Sequence, residues 1–245
     1  MSFLRSLLSC IAVLCACIAI APLARAGDTA FVEILGFTPD GRVFAFEEYG
    51  VQDGSGFPYS HRFYIEVAAD KFLPNTPVRV TIEDEGATID DARAKSKIRG
   101  EKIFKDAQLA RNRGFTAAFN PVTELSADPF RLTANPRPVH PPVDDPVEFR
   151  LEEIHVVTPS RCEGLGDIVG IRILRMFATP GGRTELRHQD SGIPLSRGCP
   201  TGYRIGGLQT FFPHNGRPAY ALLIAIRRFG FEGPDYRWIA ATGRL

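Results

Sequence analysis

The chain has 245 residues, and its scarcest features are the most restrictive. Cysteine occurs five times, and Cys10, Cys15 and Cys17 all fall in the first 26 positions. Only Cys162 and Cys199 remain beyond them, with no CxxC spacing, so a dithiol redox motif or a thiolate metal finger has no basis. The five histidines, His61, His140, His155, His188 and His214, are too dispersed to pair at i+2, i+3 or i+4, and no metal or cofactor is implied. Lysine is missing after Lys105, where every base is arginine. The G-x-S-x-G elbow of serine hydrolases is missing as well. Excess charge is absent too: 29 basic against 28 acidic residues give +1. That balance offers no case for nucleic acid or an anionic membrane as partner.

What is present begins at the N-terminus. Arg5 precedes an apolar stretch from Leu7 to Ile20, Pro22 interrupts, and Ala24-Arg25-Ala26 follows. This is the three-part pattern of a secretory signal, and the run is short for a membrane-spanning helix. Cleavage after Ala26 is predicted, leaving 245 − 26 = 219 residues as a single secreted domain over 27–245 with no transmembrane segment. Without Arg5 and Arg25 the charge becomes 27 − 28 = −1. A lipoprotein processed at Cys17 is the weaker alternative, since it leaves Ile18-Ala19-Ile20 in the mature chain. In an exported protein the pair Cys162 and Cys199 reads as a disulfide. Closing such a loop contributes roughly 4 kcal/mol in the chain-entropy picture.

Period-two patterns dominate and predict about ten strands in a mainly β fold. Phe31–Leu35, Val43–Glu47, Arg62–Val67 and Val78–Ile82 read as an antiparallel meander, with Pro39-Asp40-Gly41 as a hairpin turn. Further strands are expected over 147–157, 168–177, 184–187, 203–212, 219–227 and 236–242, with a turn at Gly181-Gly182. One surface helix is predicted over 89–113, with Asp90 and Asp91 in its first turn and Gly114 as cap. Its apolar stripe of Ile89, Ala92, Ile103, Ala107 and Ala110 is thin, and its basic face is expected to be solvated, the alternative being that it lies against the acidic first meander. The proline-rich stretch from about 120 to 146 reads as an extended connection. Charge is segregated: 4 basic against 13 acidic residues over 27–91, then 8 against 2 over 92–120.

A repeat links the two ends. Phe37-Thr38-Pro39-Asp40-Gly41-Arg42 parallels Phe211-Phe212-Pro213-His214-Asn215-Gly216-Arg217. Arg62-Phe63 and Arg237-Trp238 follow their turn glycines at equal distances. Each unit reads as strand, glycine turn, long strand, Gly/Pro loop, strand. Such units fit propeller-like blades or a two-sheet sandwich.

The phrase from Phe37 to Phe46 resembles the repeats of periplasmic TolB-type propellers over about ten residues. A wider resemblance rests on Glu47-Glu48-Tyr49-Gly50-Val51-Gln52-Asp53-Gly54-Ser55-Gly56-Phe57-Pro58-Tyr59, on Ser196-Arg197-Gly198-Cys199-Pro200 and on Gly230-Phe231-Glu232-Gly233-Pro234-Asp235. These are similar to a bacterial family of predicted secreted proteins, domain of unknown function 2259. The resemblance implies an exported envelope protein and supplies no activity.

Candidate chemistry is sparse. Asp53-Gly54-Ser55-Gly56 has too few oxygen ligands for a calcium loop, and no helix follows for a phosphate loop. It reads as a turn, or as a recognition loop with Phe57 and Tyr59 as an exposed aromatic pair beside Asp53. Phe229 and Phe231 are expected to be exposed in the matching Gly/Pro loop, while Trp238 reads as core. His188, Asp190, Ser191 and Ser196 crowd one segment and read as solvent-exposed turn residues near the disulfide. Adjacent acids such as Glu47-Glu48 point to opposite faces of a strand and cannot share one substrate. The expectation is therefore a non-enzymatic, periplasmic or secreted module binding an envelope protein or glycan through Asp53, Phe57, Tyr59, Phe229 and Phe231. The alternative is a hydrolase of envelope glycan or peptide using carboxylates from separate strands, which requires a cleft lined by two or more acids with raised pKa.

Overall fold

The computed structural model describes residues 27–177 and 182–245. The expected signal segment and Gly181 of the expected turn lie outside the described residues. Three antiparallel sheets build the fold. The first contains β1 (Phe31–Phe37), β2 (Val43–Val51), β3 (Pro58–Glu66), β4 (Lys71–Phe72) and β5 (Val78–Thr81), with both β4 and β5 on the outer side of β3. The second is ordered β13 (Pro234–Arg244), β12 (Ala219–Phe229), β11 (Pro200–Phe211), β6 (Phe115–Phe119). The third is ordered β10 (Thr184–Gln189), β9 (Val169–Phe177), β8 (Val147–His155), β7 (Arg131–Ala134).

The β13-β12-β11-β6 sheet lies between the other two. Its strand β12 reads Ala-Tyr-Ala-Leu-Leu-Ile-Ala-Ile, an unbroken apolar run buried on both faces. Tyr220, Leu222, Ile224 and Ile226 pack on the third sheet with Phe149, Leu151, Ile171 and Ile173. Ala219, Ala221, Leu223 and Ala225 face the aromatics of the first sheet, chiefly Phe44, Phe46 and Phe63. Small side chains on one face and large ones on the other match the bulk of the opposing layers. The sheets thus pack face to face as in a sandwich, with a third sheet added.

Helices cover the outer face of the first sheet. The single helix expected over 89–113 is two: α1 (Ile89–Gly100) and α2 (Asp106–Ala110). Thr88 and Asp91 close a capping box at the start of α1. Of the expected stripe Ala92 is buried and Ile103 packs on the core, but the buried line of α1 is one of small residues, Ala92, Ser96 and Gly100. Its basic face is not merely solvated. Arg93 donates through Nε to Glu47 at 3.1 Å and also pairs with Glu33. Glu47 is fully buried and accepts from Ser60 at 2.7 Å and Arg62 at 3.4 Å. The acidic first sheet therefore receives the basic helix, because a buried carboxylate needs charged donors.

Three strands escape the sequence pattern: β4, β6 and β7. Strand β7 lies inside the proline-rich stretch, where Leu132 enters the core. That stretch is bound to its neighbours: the Pro129 carbonyl accepts from Ile205 N–H at 2.7 Å, and the Pro136 carbonyl from Thr210 Oγ1 at 2.7 Å.

The two repeat units are the meanders β1-β2-β3 and β11-β12-β13, stacked in neighbouring layers. Their glycine turns meet. Gly41 adopts φ +67°, where a side chain is strained, and a Cβ there would touch Phe211 and Pro213. Gly216 lies equally close to the Asp40 carbonyl. Strands running in step from adjacent turns bring their far ends together too.

Candidate functional site

At those far ends, the loop joining β2 to β3 and the loop joining β12 to β13 form one rim. The Asp53 carboxylate accepts the Glu232 backbone N–H at 2.7 Å. Phe231 lies over Gly54, whose added Cβ would sit 3.2 Å from the Phe231 Cβ. Within the first loop, Gln52 N–H donates to the Phe57 carbonyl at 2.9 Å, and Ser55 Oγ to the Gln52 side chain at 3.1 Å. The rings of Phe229 and Phe231 remain 65% and 81% exposed on this braced scaffold. Beside them opens a pocket of about 490 Å³ lined by Thr201, Arg227, Arg228, Phe229, Phe231 and Glu232.

Of the five residues expected at the rim, Asp53, Phe229 and Phe231 lie there together, and Phe57 sits half-buried in its loop. Tyr59 does not join them. It is 1% exposed, with its hydroxyl on Asp28 at 3.3 Å and the Arg237 guanidinium 4.7 Å from its ring centre. The expected exposed pair Phe57/Tyr59 is corrected: β3 starts at Pro58, and Tyr59 shares the inward face of Phe63 and Ile65.

Under the rim, between the first sheet and the edge strand β13, lie two adjoining cavities of about 180 and 360 Å³. Tyr59, His61, Arg79, Arg228 and Arg237 line the smaller one with Glu48. Burial pushes the Glu48 carboxyl above the usual carboxylate range, opposed by the Trp238 N–H and by Arg237, Arg228 and Arg79. Burial also pushes His61 down to about 4, with Arg79 adding to the effect. Burial raises Asp28 despite its ion pair with Arg237.

These acids have structural work. Strand β13 is an edge, and its outward N–H groups need acceptors. Tyr236 N–H donates to the Asp28 carbonyl at 2.8 Å, Trp238 N–H to Glu48 Oε2 at 2.8 Å, and Thr242 N–H to Asp70 Oδ1 at 2.7 Å. Glu48 points inward beside Phe44 and Phe46, whereas Glu47 points to the helices, as strand alternation requires. A carboxylate in phase with core phenylalanines was the available sequence signal for this arrangement. Trp238 is core, as expected, and its Nε1 donates to the Ala30 carbonyl at 2.8 Å.

In the segment 188–199, Ser191 and Ser196 are exposed, as expected, whereas Asp190 is not. Asp190 is buried and accepts from Ile171 N–H at 2.8 Å, from His188 Nε2 at 2.8 Å and from Arg197 at 2.5 Å. These bonds hold its carboxyl below the usual range against the opposing effect of burial. No serine hydrogen-bonds His188 among the described residues, so the nucleophile–base contact of a hydrolase triad is not formed. The disulfide Cys162–Cys199 is formed, as expected. Among the described residues no helix is long and apolar enough to cross a membrane.

A family model described as Predicted secreted protein (DUF2259) matches residues 45–244. The span includes Glu47–Tyr59, Ser196–Pro200 and Gly230–Asp235, while most of the TolB-like phrase at 37–46 precedes it. No curated protein and no solved structure matches the chain.

Proposed function

The chain belongs to the family of predicted secreted proteins (DUF2259), and from that premise we propose that it is a non-enzymatic envelope module that captures a protein or glycan on its two-loop rim. The observation carrying this reading is Phe231. A large apolar ring that stays 81% exposed, on a loop fixed by Asp53, is an anchor held ready at little entropic cost. Phe229 supplies a second face for stacking, and Arg227 and Glu232 supply polar contacts at the pocket wall. The hydrolase reading lacks a comparable support. The two acids lining the cavities, Glu48 and Asp70, are each committed to a β13 backbone N–H.

The test is chemical crosslinking of the tagged protein in its native envelope, followed by quantification of the captured material. Phe231→Ala is expected to reduce capture at least about tenfold, the effect of losing a central aromatic anchor. Its melting temperature should stay within about 1 °C of the parent, because an exposed ring contributes little to the core. Equal capture by parent and variant would refute the rim as the binding surface.

A further inference from the structure

Net charge close to zero hides a local excess at the opposite end of the molecule. Near the glycine turns, five arginines converge on one cleft of about 370 Å³: Arg175, Arg183, Arg187, Arg217 and Arg244. They come from four separate places in the chain: β9, the approach to β10 and its middle, the β11–β12 turn and the end of β13. Among the described residues Glu185 is the one acidic side chain in the lining, pairing with Arg183 at 2.6 Å and Arg187 at 3.7 Å. The described lining thus sets five guanidinium groups against one side-chain carboxylate, and Asp40, outside the lining, also acts on Arg244.

The arginines are also positioned rather than loose. Arg175 lies 4.6 Å and Arg183 5.2 Å from the Phe177 ring centre, and Arg187 lies 5.9 Å from that of Tyr220. Arg175 donates to the Arg244 carbonyl at 2.9 Å, and Arg244 to the Arg217 carbonyl at 2.7 Å. Arg187 packs where Gly243 has no side chain: a Cβ there would lie 2.6 Å from its Nη2. Arg187 Nε is buried with no acceptor among the described residues. Arg175 is buried yet pairs with no carboxylate among them. Burial lowers its tendency to hold a proton, and its neighbours Arg187 and Arg183 lower it further. A folded protein that gathers like charges this closely carries a cost, which an anion with several acceptor oxygens would offset.

We propose that these five arginines form a site for a phosphate-bearing ligand. Guanidinium forks match phosphate oxygens two at a time, and a doubly charged tetrahedral group meets several forks at once. The site lies at the other end of β13 from the rim, on the order of 30 Å away along the strand. It therefore goes beyond the rim reading, and either can fail without the other.

The experiment has two arms at fixed ionic strength. One titrates inorganic phosphate calorimetrically into the purified protein. The other sediments the protein with vesicles of phosphatidylglycerol in phosphatidylcholine. Arg183 and Arg217 are exposed, so the double variant Arg183→Gln/Arg217→Gln should fold, which a melting curve verifies. The parent is expected to bind at least one probe, and the double variant at least about tenfold more weakly. Glu185→Gln, which removes the competing carboxylate, should tighten binding severalfold. Binding of inorganic phosphate identifies a soluble phosphate group as ligand, and binding to vesicles alone identifies a lipid headgroup. Binding of neither probe by the parent, or equal binding by the double variant, overturns the proposal.

Discussion

His61 and Tyr59 illustrate how far single side chains could be read from the sequence. Both lie on the inward face of β3, in step with Phe63 and Ile65. The glycine-rich loop before Pro58 masked where that strand begins, so the alternation could be read only from Arg62 onward. Phe231 was legible because a Gly/Pro loop leaves an aromatic no layer to enter. Burial of His61 has a measurable consequence. Its folded pKa falls from 6.5 to about 4, so between those values the unfolded chain binds the proton and the folded one resists it. The resulting stability is present above pH 6.5 and is lost as pH falls through about 4, at roughly 1.4 kcal/mol per pH unit. Glu48 acts with the opposite sign, its contribution being lost as pH rises above 4.5 through the raised folded value. Comparing parent and His61→Gln by urea denaturation at pH 7 and pH 4.5 isolates the histidine. The parent's advantage should shrink at the lower pH, and parallel curves would contradict the assignment. At Asp190 the sign is that of a stabilising carboxylate, present above pH 3.8 and lost as pH falls through its lowered folded value. Asp190→Asn should cost about 2–4 kcal/mol at neutral pH, because Arg197 stays buried with its counter-charge removed. A cost below about 0.5 kcal/mol would show that this buried pair is dispensable.

Helix α1 shows why an element can be located from sequence while its packing is misjudged. The acidic start and the run to Gly100 were legible. Of the buried seam only Ala92 was read, and Ser96 and Gly100 were not, because small residues carry almost no hydrophobic signal. They are small so that the helix can approach Tyr64 and Arg62. A Cβ on Gly100 would meet the Tyr64 hydroxyl at 2.3 Å and Arg62 Cδ at 3.0 Å. Helix propensity favours Gly100→Ala by about 1 kcal/mol, whereas overpacking costs about 1–3 kcal/mol. The clash should win, making the variant less stable by up to about 2 kcal/mol in chemical denaturation. A more stable variant would mean that the helix can shift freely on its sheet. The unread strands have a common cause as well. Lys71–Phe72 is too short for a period, Phe115–Phe119 directly follows a helical pattern, and Arg131–Ala134 is flanked by prolines.

Layer order is the least legible feature, because it depends on which faces meet. The run over 219–227 was expected as a strand, yet nothing local says which sheets cover its two buried faces. The repeat carried more information. Equal spacing from Gly41 to Arg62-Phe63 and from Gly216 to Arg237-Trp238 implied equivalent loops, and stacking in step brings those loops together. The arginine cleft had no such signal, since its members converge only after four segments fold. The disulfide holds the crossover from the third sheet into β11, where Cys162 packs with Ile168 and Ile193. Reducing it should cost about 2–5 kcal/mol, read as a lower melting temperature in reductant, and an unchanged melt would make it dispensable. The rim itself is tested most directly by photocrosslinking from two exposed positions. A photoreactive residue replacing Phe231 is compared in the native envelope with one replacing Leu125, which is 91% exposed in the proline-rich stretch. The rim reading predicts a discrete adduct from position 231 and none from position 125. Identical patterns from both positions, or no adduct from position 231, would contradict it.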